Sequence, residues 1–128
     1  MERRRVDPWT WQERFGFAQA WRVDGAQAVI FLAGQGPITA EGQVLEGTFE
    51  AQARLTFDNL RTVLQQAGAD FESVVKLTAY FTDIADLPTY GRVRSEFITG
   101  APPAATALQV SALAFPGMAI EVEAVAVL

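Results

Sequence analysis

The chain contains no cysteine and no histidine, and its only lysine is Lys76. These absences exclude disulfides, thiol nucleophiles, imidazole bases and nearly all zinc chemistry together. Any proton transfer must then use carboxylates, tyrosine, Lys76, backbone groups or ordered water. The lack of cysteine fits a reducing compartment, and a cytoplasmic location is expected. Basic surface is scarce too. A formal net charge of −5 and a sequence pI near 4.6 argue against a phosphate-backbone partner, so no nucleic acid is expected. The one basic run, Arg3-Arg4-Arg5, reads as a solvated N-terminal arm, and the polar segment after it is unlike a signal peptide. No apolar run is long enough to span a bilayer, so no membrane partner is expected either.

What is present is apolar residues in patterned runs. Half of the 128 residues are hydrophobic, enough for one sizeable core, and residues 1–128 are expected to form a single domain. Trp21 and Val23, the turn signal Asp24-Gly25 and the run from Ala28 to Ala33 predict a hairpin of two strands. Phe49, Ala53, Phe57, Leu60 and Leu64 recur three or four apart and predict an amphipathic helix, with Gln52, Arg54, Asp58 and Arg61 on its other side. Thr48 is its expected N-cap, and Gly68 the glycine just past its end.

A third strand is expected over Val74–Thr82, rich in β-branched and aromatic residues. Leu87, Tyr90, Val93 and Phe97 then predict a shorter helix closed by Gly100 and Pro102-Pro103. Two final strands, Ala104–Leu113 and Ala119–Val127, flank a turn at Pro116-Gly117. The predicted order is ββαβαββ. With both helices able to cover one face of the sheet, this describes an α+β domain in two layers.

In this frame the sequence resembles the RidA/YjgF (Rid) family from the first predicted strand to the last. Phe17-Ala18-Gln19-Ala20 is similar to the family's Tyr-Ser-Gln-Ala, and Ala33-Gly34-Gln35-Gly36-Pro37 to its Ser-Gly-Gln-x-Pro. Gln52, Asn59-Leu60, Ala67-Gly68 and Val74-Val75-Lys76 resemble its helix and the entry to its third strand. Ile120 to Ala126 resembles its closing Glu-x-Glu-Ala-x-Ala. The resemblance implies a chorismate-mutase-like fold, a homotrimer with clefts between neighbouring subunits, a small-molecule ligand, and no metal or cofactor. In the best-known branch those clefts hydrolyse enamines and imines of 2-keto acids, and an arginine following a proline grips the substrate carboxylate.

Ala105 stands at that arginine position in Pro103-Ala104-Ala105-Thr106. Phe17 stands for the branch's tyrosine, Ala33 for its serine and Gly91 for its asparagine, while Gly34, Gln35 and Glu121 are retained. Losing a bidentate arginine should remove about 2–5 kcal/mol of carboxylate binding. The expectation is therefore weak or absent hydrolysis of the usual 2-imino acids. Two readings follow: an enzyme that hydrolyses or tautomerises another imine-like metabolite, uncharged or aromatic, with Glu121 directing water or a proton, or a non-catalytic small-molecule binder. RNA cleavage fits an acidic chain without histidine poorly.

The candidate binding residues are thus Phe17, Ala33, Gly34, Gln35, Gly91, Ala105 and Thr106, with Arg94 as a replacement cation. Arg92 and Arg94 have a plainer reading as solvated residues of a short helix, and it is preferred. Glu121 and Glu123 share one strand face, with Glu123 read as structural. Lys76 reads as a polar strand residue. Trp9, Trp11, Phe15, Phe17 and Trp21 form a core, an interface or an apolar wall for a planar ligand.

Overall fold

The stripe predicted from Ala53 to Leu64 becomes the buried face of a helix, α1 (Phe49–Gln66), in the computed structural model, which describes residues 1–128. Thr48 caps it, its Oγ1 accepting from the Ala51 amide at 3.1 Å, and Gly68 follows its end with φ +81°. A second helix, α2 (Leu87–Phe97), carries a proline in its first turn, where no amide hydrogen is needed. Six strands complete the chain: β1 (Glu2–Val6), β2 (Ala20–Asp24), β3 (Val29–Gln35), β4 (Val74–Phe81), β5 (Ala104–Gln109) and β6 (Ile120–Val127).

Both helices cover one face of a four-stranded sheet ordered β3-β6-β4-β5. β6 runs antiparallel to both of its neighbours, and β5 lies parallel to β4, which requires the crossover that α2 supplies. Alternation along β6 sends Ile120, Val122, Ala124 and Ala126 into the core and Glu121 and Glu123 to the other face. The α+β two-layer architecture is as expected. No helix is long and apolar enough to cross a membrane.

Three expectations fail. The basic run is not a solvated arm: Arg3, Arg4 and Arg5 lie in β1, which pairs with β2. Two of its arginines are anchored, Arg3 donating to the Glu72 carbonyl at 2.8 Å and Arg5 pairing with Asp7. The predicted hairpin is absent as well. The chain does turn at Gly25 (φ +72°), but β3 pairs with β6 while β2 joins β1 in a separate two-stranded sheet. Backbone bonds between Leu128 and Gln27 and Ala28, at 2.7–3.0 Å, continue the β3–β6 ladder and hold the post-turn run there.

Gln52, assigned to the outer side of α1, is instead buried, at 4% exposure. Its amide donates to the carbonyls of Leu45 and Gly117 and accepts from the Ala119 amide, all at 2.9 Å. A buried amide so fully partnered costs little and ties α1 to two loops.

Candidate active site

Five of the predicted site residues line one cleft of about 750 Å³: Phe17, Gly91, Arg94, Ala105 and Thr106. The local backbone explains why they meet. The Ala18 amide donates to the Pro103 carbonyl at 3.0 Å, and Ala18 bridges Ala104, so Phe17 is set beside the first residues of β5. The indole of Trp21 donates to the Pro102 carbonyl at 2.9 Å and holds the same junction from the other side. α2 then brings in Tyr90, Gly91 and Arg94.

Arg94 lies one helical turn beyond Tyr90, on the same side of α2. Its guanidinium passes over the Tyr90 ring, 5.6 Å from the centroid, and Nη2 donates to the Phe15 carbonyl at 2.9 Å. The neighbouring Gly16 makes this possible. It adopts φ +73°, and a Cβ there would stand 2.5 Å from Arg94 Nη2. Burial pushes the Tyr90 hydroxyl up to about 12, so it stays neutral and donates no charge to the cleft. Of the two arginines that line this cleft, Arg14 is exposed and Arg94 is the one held by a hydrogen bond across it, not the solvated side chain preferred from sequence. Arg92 does match that reading, being exposed and 3.7 Å from Glu50.

Glu121 and Gly34 belong to a second hollow, of about 370 Å³, on the face of the sheet away from the helices. Their strands place Glu121 across Gly34 so closely that a Cβ at position 34 would lie 2.8 Å from the Glu121 carboxyl carbon. Only glycine leaves room for this carboxylate. Ala33 is exposed, and the half-buried Gln35 donates to the Ala33 carbonyl at 3.3 Å, so neither enters a hollow with Glu121 or Arg94. The irregularity between Leu32 and Gln35 displaces this stretch from the regular β3 ladder.

The two glutamates differ in what they hold. Glu123 accepts the Tyr80 hydroxyl at 2.6 Å, and that bond pushes the Tyr80 phenol above its usual range. Glu121 makes no side-chain hydrogen bond within the chain, which leaves its oxygens free to take a proton from a ligand or water. Lys76 donates to Thr106 Oγ1 at 2.8 Å, joining β4 to β5 as a polar strand residue would.

Sequence reasoning missed Tyr80 and the Phe15-Gly16 pair. Alternation along β4 could have found the first, because Tyr80 falls opposite Glu121 in the β4–β6 register. Nothing in the pattern marked a main-chain carbonyl as the anchor of Arg94. No three acidic side chains converge as metal ligands would.

Comparison with known proteins joins these observations. The sequence model of the family described as Endoribonuclease L-PSP matches residues 14–128. Protein DfrA of Myxococcus xanthus is 39% identical over 112 residues, 87% of this chain and 84% of that protein. The 2-iminobutanoate/2-iminopropanoate deaminase of Mus musculus is 36% identical over 112 residues, 87% of this chain and 80% of its own. Among solved structures, YyfB of the conserved Rid protein family from Yersinia pestis superposes with a TM-score of 0.88 at 32% identity, each chain covered to 100%.

Proposed function

The chain belongs to the Rid family, also described as Endoribonuclease L-PSP, and on that premise we propose that it hydrolyses 2-imino acids to 2-keto acids and ammonia. This corrects two expectations drawn from sequence, that such hydrolysis is weak or absent and that the substrate is some other imine. The relative from Mus musculus, similar over most of both chains, is a deaminase of 2-iminobutanoate and 2-iminopropanoate. The physical reason for the error is that Ala105 was read as the loss of the carboxylate grip while Arg94, the candidate replacement, was read as solvated.

The observation that carries the proposal is the guanidinium of Arg94 in the same cleft as Ala105. α2 supplies from one wall the charge that the strand does not. A planar guanidinium matches a carboxylate in two parallel hydrogen bonds, and in a partly desolvated cleft such a pair contributes about 2–5 kcal/mol. The Phe15 carbonyl, the Tyr90 ring and the missing side chain at Gly16 fix its direction before substrate arrives.

With the carboxylate held, water adds through its oxygen to C2 while the C=N pair moves to nitrogen, and Glu121 takes a proton from that water. The tetrahedral adduct then collapses. Nitrogen, protonated, departs as ammonia, and the C2–O bond becomes the ketone of the 2-keto acid. Within one chain Glu121 and Arg94 open into different hollows. The reaction therefore uses a homotrimer of 128-residue single-domain subunits, in which Glu121 of one subunit faces the Arg94 cleft of its neighbour. The open sheet face supports assembly, since Phe31 is 79% exposed and Val29 and Leu108 lie on the same face. A cytoplasmic site of action accords with a cysteine-free chain.

The test is complementation. Arg94→Ala and Glu121→Gln should each lower kcat/KM for 2-iminobutanoate by about a hundredfold or more, whereas Arg92→Ala leaves it unchanged. Refolding the two inactive variants together should restore up to about a quarter of wild-type turnover, the share of neighbouring pairs that unite both intact residues. No recovery would mean that the site is not shared in this way. Full activity of Arg94→Ala would remove the carboxylate grip assigned here.

A further inference from the structure

Tyr80 shares the hollow of Glu121, on the side away from the helices. It stands on β4 directly across from Glu121 on β6, and such neighbours on one sheet face carry their Cβ atoms about 4.5–5.5 Å apart. Its hydroxyl leans to Glu123, donating to Oε1 at 2.6 Å, a length typical of an O–H bond to an ionised carboxylate. The Glu123 bond first, then desolvation and the charges of Glu123 and Glu121, push the phenol above its usual range, so it stays protonated. A phenol oxygen whose hydrogen is committed in this way can only accept, and so can ionised Glu121. The rest of the hollow adds no polar side chain: Gly34 has none, and the loop after β5 brings apolar residues such as Val110 and Leu113. A water molecule entering between Glu121 and Tyr80 therefore meets two acceptors side by side. One hydrogen goes to each, and its lone pairs turn outward, away from the sheet.

Resting on the function proposed above, we infer that Tyr80 orients the attacking water, its oxygen accepting one hydrogen of that water while Glu121 accepts the other. As the water oxygen bonds to C2, Glu121 withdraws its hydrogen and passes it to nitrogen. The hydrogen on Tyr80 stays with the new hydroxyl. When the adduct collapses, Glu121 moves this second proton to nitrogen as well. Both water hydrogens thus leave in ammonia, and the oxygen remains in the 2-keto acid. Tyr80 itself exchanges no proton. Glu123 is the positioning residue behind it, because a free phenol hydrogen would turn to Glu121 and block the base.

The experiment measures kcat, KM and their pH dependence for 2-iminobutanoate, with sedimentation and melting temperature followed alongside. Tyr80→Phe keeps the ring and removes the oxygen. Its kcat should fall about tenfold, with KM, assembly and melting temperature unchanged. Glu123→Ala and Glu123→Gln both remove a charge, but only the alanine frees the phenol hydrogen to bond Glu121 and favour its ionised form. The acid limb of kcat/KM should therefore lie at lower pH in Glu123→Ala than in Glu123→Gln. Adding Tyr80→Phe to each should abolish that difference. The titratable groups lining the hollow are Tyr80, Glu121 and Glu123, while Lys76, on the same face of β4, is bonded to Thr106 on β5. Full kcat in Tyr80→Phe, or equal acid limbs in the two Glu123 variants, would overturn the inference and leave the proposed function standing. So would a loss in Tyr80→Phe that follows dissociation or unfolding. No hydrolysis by the unaltered protein would overturn both.

Discussion

The two faces of the four-stranded sheet are made from the same strands and have opposite fates. Toward the helices, Leu32, Leu77, Phe81, Ile120 and Val122 are sealed beneath α1 and α2. Toward the other side the same strands present Phe31, Lys76, Tyr80, Glu121 and Glu123, where no helix packs and only the loop after β5 flanks Tyr80 and the two glutamates. The helix face is saturated, its aromatic rings already in contact with one another. The open face retains free capacity: apolar area with no partner and, at Glu121, a carboxylate with no hydrogen bond. Stability is thus concentrated on one side, and unpartnered surface on the other.

That contrast can be broken most forcefully from the helix side. Phe57 is fully buried and its ring lies 5.2–6.0 Å from those of Phe71, Tyr90 and Phe97. Phe57→Ala should cost about 3–5 kcal/mol in denaturant unfolding, and a loss under about 1 kcal/mol would show that the fold is held elsewhere. On the open face the largest effect should be on rate. Glu121→Gln is expected to lower kcat roughly a hundredfold with little change in melting temperature. Glu123→Gln, which keeps an oxygen for the Tyr80 hydroxyl, should leave kcat nearly intact. Equal effects in the two variants would erase the distinction between them.

Association should come next in size. Phe31→Ser removes an exposed ring worth about 1.5–3 kcal/mol when buried. If the proposed trimer forms through this face, sedimentation should then show monomer in place of a three-chain species while the helical circular dichroism persists.

The smallest effect belongs to the outer rim of the helix layer. The Phe71 amide, then Gln65 and Arg61, hold the Asp70 carboxyl below its usual range, and Arg54 does the same for Glu96. Both groups have lower values folded than unfolded. Their contribution is present above the ordinary carboxylate range and is lost as pH falls through the depressed values. Melting temperature should therefore decline below about pH 4, and less steeply in Asp70→Asn.

Where a pattern depended on local spacing, the sequence could be read directly. The stripe of α1, its Thr48 cap and the alternation of β6 were visible because each is set by neighbours a few residues apart. Partnership between distant segments was not. The Asp24-Gly25 turn is real, yet which strand β3 joins is decided by β6, about a hundred residues away. β1 was hidden for a related reason: its arginines read as solvated, and only Glu72 and Asp7 show where their charges go.

The site divides along the same line. The positions of Phe17, Gly91, Ala105 and Thr106 followed from family resemblance, and the structure gathers them with Arg94. What Arg94 does there could not be read, because its anchor is a backbone carbonyl 79 residues earlier.

The place of β6 between β3 and β4 also has a consequence for how the molecule comes into being. Every other strand of this sheet leaves the ribosome before it. Until β6 is made, β3 has no partner in the sheet and β4 can pair only with β5, so each presents an unpaired edge on which other chains could add. The sheet can close only after synthesis has reached Ile120, which makes the core a late event and leaves those edges open until then. A pause in translation just before this strand would lengthen the exposure, and slow codons there should raise the aggregated fraction without changing a single residue.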